Sequence, residues 1–373
     1  MTSEEIREQP LPVYTGRFMH VNNFHMINEV RQQATVFARI LQNRTLIADV
    51  AHEVSKRNPH SHYAIGCGSS YYAAIISAFY HEHLFSLNSR AVPSSEFIWY
   101  PPASKSLTLM ALSRSGRTSE TLEATRMAKK LQIPTIAVTA DPSSPMGKEC
   151  DYCLDIGIGE EESVVMTKSF TASTLLSILL GFELSKLQSA NRNAFDEELV
   201  KLPSDADRVI RGVEDQARTI AESMRKLSGF IYLGSGASYG ACLEGALKLR
   251  ETSYTTCEVY HIPEFRHGPF ALLQDDVGVV VIVPEDKTLK QSEMLLKEMA
   301  SKEAMVIPIS NVSKITDAYK NSIRMPEGIS ANFMPLLSVI AMQMVAFHYA
   351  VGRGLNPDLP RNLTKFVATD FGQ

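Results

Sequence analysis

The sequence predicts a doubly wound α/β protein built twice over, and three observations carry that reading. From His62 onward short apolar strands alternate with helical segments, the pattern of a parallel sheet covered by helices on both faces. The alternation stops in a polar stretch and then begins again. Finally, IGCGSSYYAA (65–74) and LGSGASYGAC (233–242) align at both glycines, one serine, one tyrosine and one alanine, with an offset of 168 residues. Self-similarity of that kind marks an internal duplication.

Residues 1–60 read as a helical lead-in, with apolar positions at helical spacing through MINEVRQQATVFARILQ. A first domain is expected over 61–186. In it HYAIGCG is a strand ending in glycines and SSYYAAIISAFYHEHLF is the helix that follows. A second strand leads to SSEF. LTLMALS is then a buried strand, SRSGRTSET a loop and LEATRMAKKLQ a helix, with TIAVTAD and DYCLDIGI as further strands. Residues 187–207 are polar and read as a linker. The second domain, 208–350, repeats the scheme: a helix, the strand GFIYLGSGA, another helix, then VGVVVIVPE, AMVIPISN and SIRMPEG as strands and a closing helix after Ser330. The run 333–350 is apolar enough to raise the question of a membrane span. Ser338, Gln343 and His348 interrupt it and Pro335 sits near its start, so a buried core helix is expected. Residues 351–373 form a tail without helical period whose apolar residues imply that it docks on the domains.

The chain has 373 residues, 45% hydrophobic and 21% charged, with a net charge of −4. That is ordinary globular composition with ample material for a core. Nothing in the charge favours nucleic acid or an anionic membrane surface, so an anionic substrate has to be held by a local site. Five cysteines, Cys67, Cys150, Cys153, Cys242 and Cys257, are an odd number in a large chain and imply a reducing compartment. The lone CxxC of Cys150 and Cys153 lacks the companion ligands of a zinc site; no metal and no cofactor is expected. The polar start MTSEEIREQP carries no signal segment, and a cytoplasmic location is expected.

Candidate chemistry concentrates in LEGALKLRETSYTTCEVYHIPEFRHGP (243–269), a helix, a short strand and a loop. Glu244, Lys248 and Glu251 are spaced by four and three, so their side chains share one helix face. With Leu243, Leu247 and Leu249 turned to a core, the charged stripe is expected to look out into solvent or a cleft. His267 follows in a loop ending Gly-Pro. On those residues alone, an exposed helix with ordinary ion pairs and a surface histidine is an equal alternative. The loop Ser113-Arg114-Ser115-Gly116-Arg117-Thr118 follows a buried strand and opens a helix, where free N–H groups, three hydroxyls and a glycine suit a phosphate. A serine-rich helix cap is the plainer reading of that loop. Beside the turn Gly68-Ser69-Ser70 it gives two hydroxyl-lined helix starts on one crevice. GxxxxGK[ST] is absent, and Tyr71 stands where GxGxxG needs its third glycine, so a nucleotide is not implied.

Taken together, GCGSS, SRSGRTSET, VVMTKSFT (164–171), EGALKLRE with EFRHGP, and PRNLTK resemble the sugar isomerase (SIS) domain family. They are most similar to the isomerase half of glutamine:fructose-6-phosphate aminotransferase and to glucosamine-6-phosphate deaminases built from two SIS domains. EEIREQP resembles the start of that half, so the resemblance spans nearly the whole chain. It implies two tandem flavodoxin-like domains and a homodimer whose active site is shared between subunits. It further implies phosphate binding at Ser70, Ser113, Ser115 and Thr118 with Ser69 beside them, and substrate contact at Val164. Glu251 would move a proton between C1 and C2, held by Lys248. His267, from the neighbouring subunit, would open the sugar ring, and Lys365 would lie over C2, where a Schiff base forms.

Three departures bear on the reaction. The chain offers Met1-Thr2 and starts at the isomerase part, so glutamine hydrolysis is not expected. Arg114 stands where the aminotransferase has a neutral glutamine and adds a charge that could reach the phosphate. Met166 stands where the aminotransferase has a substrate-contacting serine. The expected activity is conversion of glucosamine 6-phosphate to fructose 6-phosphate and ammonia. A deglycase acting on 6-phosphorylated fructosamine or glucosamine adducts of amino acids is the alternative enzyme, simple aldose/ketose isomerisation a further one, and a sugar-phosphate sensor the non-enzyme alternative.

Overall fold

The structure, a computed structural model, describes residues 23–188 and 193–368. The first 22 residues of the expected lead-in, EEIREQP among them, lie outside that range. What is described of the lead-in is helical: α1 (His25–Arg31), α2 (Gln33–Gln42) and α3 (Arg44–Ser55). Asp358 in the tail accepts the first two N–H groups of α1, from His25 at 2.9 Å and Met26 at 2.7 Å, and so ties the two ends of the described chain together.

The first domain runs β1 (Ser61–Gly66), α4 (Ser69–His83), β2 (Ser89–Pro93), α5 (Ser94–Trp99), β3 (Leu107–Leu112), α6 (Ser119–Lys130), β4 (Thr135–Thr139), α7 (Pro145–Glu149), β5 (Tyr152–Asp155) and α8 (Lys168–Lys186). Its sheet is parallel throughout, in the order β2-β1-β3-β4-β5. Every residue of β3 and β4 is buried, as expected where helices cover both faces of a parallel sheet. Cys150 and Cys153 flank the start of β5, and burial pushes the Cys150 thiol up to about 12.

A 31-residue helix, α9 (Asn193–Ser223), leads into the second domain. That corrects the linker expected at 187–207. From Asn193 onward the polar residues of that stretch are the solvent face of α9, while Phe195, Leu199, Leu202, Ala206 and Val209 recur at spacings of three and four and are buried. The second domain follows as β6 (Gly229–Gly234), α10 (Ala237–Ser253), β7 (Thr256–His261), β8 (Val277–Val283), α11 (Leu289–Ala300), β9 (Met305–Ser310), α12 (Ser313–Asp317), β10 (Ile323–Arg324) and α13 (Met334–Gly352). Its strand order, β7-β6-β8-β9-β10, reproduces that of the first sheet position for position. The duplication read from the glycine motifs is therefore a duplication of topology.

In each sheet the winding reverses beside the first strand, between β1 and β3 and between β6 and β8, and such switch points are where open α/β sheets bind ligands. The two domains meet through α4 and α10, which lie antiparallel. Gly236, at the start of α10, approaches Phe79 near the end of α4; Gly240 meets Ile76; and Lys248, near the end of α10, reaches Ser69 at the start of α4. A Cβ on Gly240 would come within 2.5 Å of Ile76 Cγ1, and one on Gly245 within 2.3 Å of Met342 Sδ in α13. These glycines let α10 sit tightly between α4 and α13. Among the described residues α13 is the one helix long and apolar enough to cross a membrane, but 89% of its span is buried inside the protein. It is the core helix the sequence predicted.

Candidate active site

The geometry begins at the turn after β1. Gly68 takes φ +53°, a conformation that favours glycine, and aims the start of α4 into the crevice. Ser70 donates its backbone N–H to Cys67 O at 3.1 Å, leaving its hydroxyl without a partner among the described residues. Across the switch point, the loop after β3 folds on itself. Ser113 Oγ accepts from Gly116 N at 3.2 Å and bonds Thr118 Oγ1 at 3.2 Å, while Ser115 Oγ accepts from Arg117 N at 3.1 Å. Gly116 has φ +60°, and a Cβ there would lie 2.0 Å from Ser144 Oγ. The structure thus brings Ser69, Ser70, Ser113, Ser115 and Thr118 to one switch point, as expected.

The acid/base face arrives from the other domain. Lys248 is fully buried, with Nζ 2.6 Å from Glu251 Oε2, 3.2 Å from Glu244 Oε1 and 3.3 Å from Ser69 Oγ, to which it donates. Burial works against its charge, yet the two carboxylates outweigh burial and raise its pKa. Burial pushes the Glu244 carboxyl up to about 7. The expectation of an outward-looking stripe is therefore wrong for Glu244 and Lys248, both 0% exposed. With α4 and α13 covering α10, Leu243 and Leu247 are only half buried, and the charged face is closed over by the first domain. Glu251 alone keeps an opening, its side chain 19% exposed.

His267 is not brought to this face within one chain. Glu251 lies near the end of α10, about 20 Å along the helix from its start at the carboxyl edge of the second sheet. His267 follows β7, beyond that same carboxyl edge, and is exposed. The two are at opposite ends of the domain.

Arg114 does not keep its guanidinium for a phosphate. It pairs with Glu161 at 2.9 Å and donates to the carbonyls of Ser163, Val164 and Lys365 at 3.4, 2.8 and 3.0 Å. Its charge is buried as a clasp between the loop after β3, the segment before α8 and the tail. Burial pushes the Glu161 carboxyl up, but Arg114 and the Ser169 hydroxyl outweigh it and hold the pKa below the ordinary value. Val164 takes part through its backbone, its N–H donating to Asp358 O at 3.0 Å.

The tail docks, but through polar and backbone bonds: Leu359, Leu363, Phe366 and Val367, the apolar residues expected to hold it, are exposed. Ser119 N donates to Val367 O at 3.3 Å, Arg361 N to the Tyr254 hydroxyl at 3.0 Å, and the Arg361 guanidinium lies 4.1 Å from the Tyr254 ring centre. Lys365 thereby reaches the loop after β3, its carbonyl accepting from Arg114 and its ammonium on Glu161 O at 2.7 Å. Glu161, Tyr254 and Asp358 are the residues that sequence reasoning missed. The run Glu160-Glu161-Glu162 just before VVMTKSFT was the available signal.

The SIS domain model matches residues 57–180 and 224–352, one match per sheet. The glutamine–fructose-6-phosphate aminotransferase (isomerizing) of Thermococcus kodakarensis is 31% identical over 356 residues, 92% of this chain and 58% of that protein. The chain thus spans a little over half the length of the curated relatives it matches. Among solved structures, the C-terminal domain of glucosamine-fructose-6-phosphate aminotransferase from Francisella tularensis superposes with TM-score 0.83 at 24% identity, over 90% of this chain and 98% of that one. A glucosamine-6-phosphate deaminase from Thermotoga maritima superposes with TM-score 0.75 at 27% identity, over 92% of this chain and all of that one. The chain belongs to the SIS domain family, as two SIS repeats homologous to the isomerase part of glutamine–fructose-6-phosphate aminotransferase.

Proposed function

We propose that the protein is an amino-sugar-phosphate isomerase and deaminase that converts glucosamine 6-phosphate and water to fructose 6-phosphate and ammonia. The observation that carries the reading is the buried Glu244–Lys248–Glu251 set lying against Ser69, so that proton-transfer groups and a phosphate-type turn share one crevice. The likeness to a deaminase structure over that chain's whole length supports the choice among sugar-phosphate reactions.

In this reading the phosphate sits on Ser70, Ser113, Ser115 and Thr118, with Ser69 held by Lys248. His267 from a partner subunit assists ring opening. Glu251 takes the proton from C2 of the open aldose and returns it at C1, leaving an imine at C2. Water adds there and ammonia departs. Lys248, charged between two carboxylates, fixes Glu251 rather than touching the sugar. Lys365, on a tail clasped by Arg114, supplies in this reading the amine that exchanges with that imine. A carboxylate beside the acidic C–H contributes about 10²–10⁴ in rate.

Glu251→Gln tests enzyme against sensor. Turnover of glucosamine 6-phosphate is expected to fall by at least about 100-fold while glucitol 6-phosphate still binds in calorimetry. Unchanged turnover contradicts the assignment of the base.

A further inference from the structure

The duplication leaves a second switch point, between β6 and β8, and the structure has a cavity of about 530 Å³ there. Its floor is the turn Ser235-Gly236-Ala237-Ser238, a copy of the turn that opens α4. Gly236 has φ +57° and ψ −131°, against +53° and −127° at Gly68. Ser238 N donates to Ser235 O at 3.1 Å, as Ser70 N does to Cys67 O. The Ser238 side chain occupies the place of Ser70. It is 1% exposed, lines the cavity, and its hydroxyl has no partner among the described residues. The mouth carries Lys287, which has no ion-pair partner among the described residues, and Thr288 from the loop after β8; His83 and Phe79 of α4 form the facing wall. Asp286 is also at the mouth, where its carboxylate accepts from Thr288 N at 2.7 Å and from the Thr288 hydroxyl at 2.6 Å.

We propose that this cavity is a second binding site for a phosphorylated sugar, distinct from the crevice at Ser70. The phosphate takes the Ser238 hydroxyl at the start of α10, where the helix dipole favours an anion, with Lys287 supplying the countercharge. The cavity is in the size range of small-ligand sites and larger than a phosphate ion needs, and the His83–Phe79 wall gives a sugar ring a polar and an apolar neighbour. Among the described residues no buried carboxylate–lysine set like that of α10 lines it: the facing wall on α4 offers Phe79, Tyr80 and His83, and Asp286 and Lys287 stand only at the exposed mouth. The site therefore binds without isomerising. Asp286 at the mouth makes it the weaker of the two for an anion. The choice of ligand rests on the phosphate reading of the Ser70 crevice; the cavity and its unpartnered serine stand apart from that reading.

Calorimetric titration of the full chain with glucitol 6-phosphate, which cannot react, is expected to give two molecules bound per chain. Ser238→Ala is expected to weaken the second site about tenfold or more, as is the exposed-loop variant Lys287→Glu, with melting temperature and glucosamine 6-phosphate turnover unchanged. Ser70→Ala with Thr118→Val should leave only the second site. One molecule per chain, lost in the Ser70/Thr118 variant and untouched by Ser238→Ala, overturns the second site and leaves the first standing. One molecule lost only on Ser238→Ala upholds the second site and removes the phosphate reading of the first. Inorganic phosphate binding at the second site as tightly as the ester overturns the sugar part of the assignment.

Discussion

At the scale of single residues, charge is placed where burial makes each ion depend on a named partner. Lys248 is the clearest case, since removing either carboxylate leaves a buried charge with half its compensation. Glu29 is a second case, at the base of the segment that Arg114 clasps. It is 4% exposed and accepts from Ser163 N at 3.2 Å, and burial, then Glu161, pushes its pKa up to about 7. A carboxyl raised in the folded state contributes stability in its protonated form, full below about pH 4.5 and lost as pH rises through about 7. Glu29→Gln removes that titration. The variant is expected to melt like the wild type at pH 5 and to exceed it at pH 8.5 by up to about 3 kcal/mol. Parallel melting curves across that range would show that Glu29 keeps an ordinary pKa. Some of this was legible: Glu244, Lys248 and Glu251 could be put on one face from spacing alone. That the face is buried was not, because the covering surface belongs to α4, about 170 residues away in sequence.

At the scale of elements, the site depends on how closely α10 lies against α4. Although α5, α7, α8, α11 and α12 were not read from the sequence, the strands, helices and switch-point loops that were read from period and glycine placement fall where the sequence put them. The polar stretch at 187–207 did not, because composition was weighed there and periodicity was not; the apolar stripe of α9 was present in it. Gly240 sets the helix spacing. Leucine there forces α10 from Ile76, an overpacking worth about 1–3 kcal/mol, and draws Lys248 from Ser69. Gly240→Leu is expected to lower both melting temperature and kcat. Gly212→Leu, where a side chain meets open space on α9, is the control and should change neither. A Gly240 variant that melts early but turns over normally would separate the helix contact from the chemistry.

At the scale of the whole molecule, two copies of one topology have been given different work. The first copy supplies the hydroxyl-lined turns, the second supplies the carboxylate–lysine face, and the tail closes over the loop after β3. His267 and Glu251 lie at opposite ends of the second domain, so in the proposed reaction one chain does not complete the set. A shared site in a homodimer follows from the proposed function. Mixing Glu251→Gln protein with His267→Ala protein, with subunit exchange demonstrated, is then expected to restore up to about a quarter of wild-type turnover, because only some hybrid sites carry both residues. No recovery contradicts the sharing. The most direct test of the central claim is to incubate the purified protein with glucosamine 6-phosphate and follow ammonia and fructose 6-phosphate together. Release of both in equal amounts is the predicted result. Folded protein that binds glucitol 6-phosphate and releases neither contradicts the deaminase.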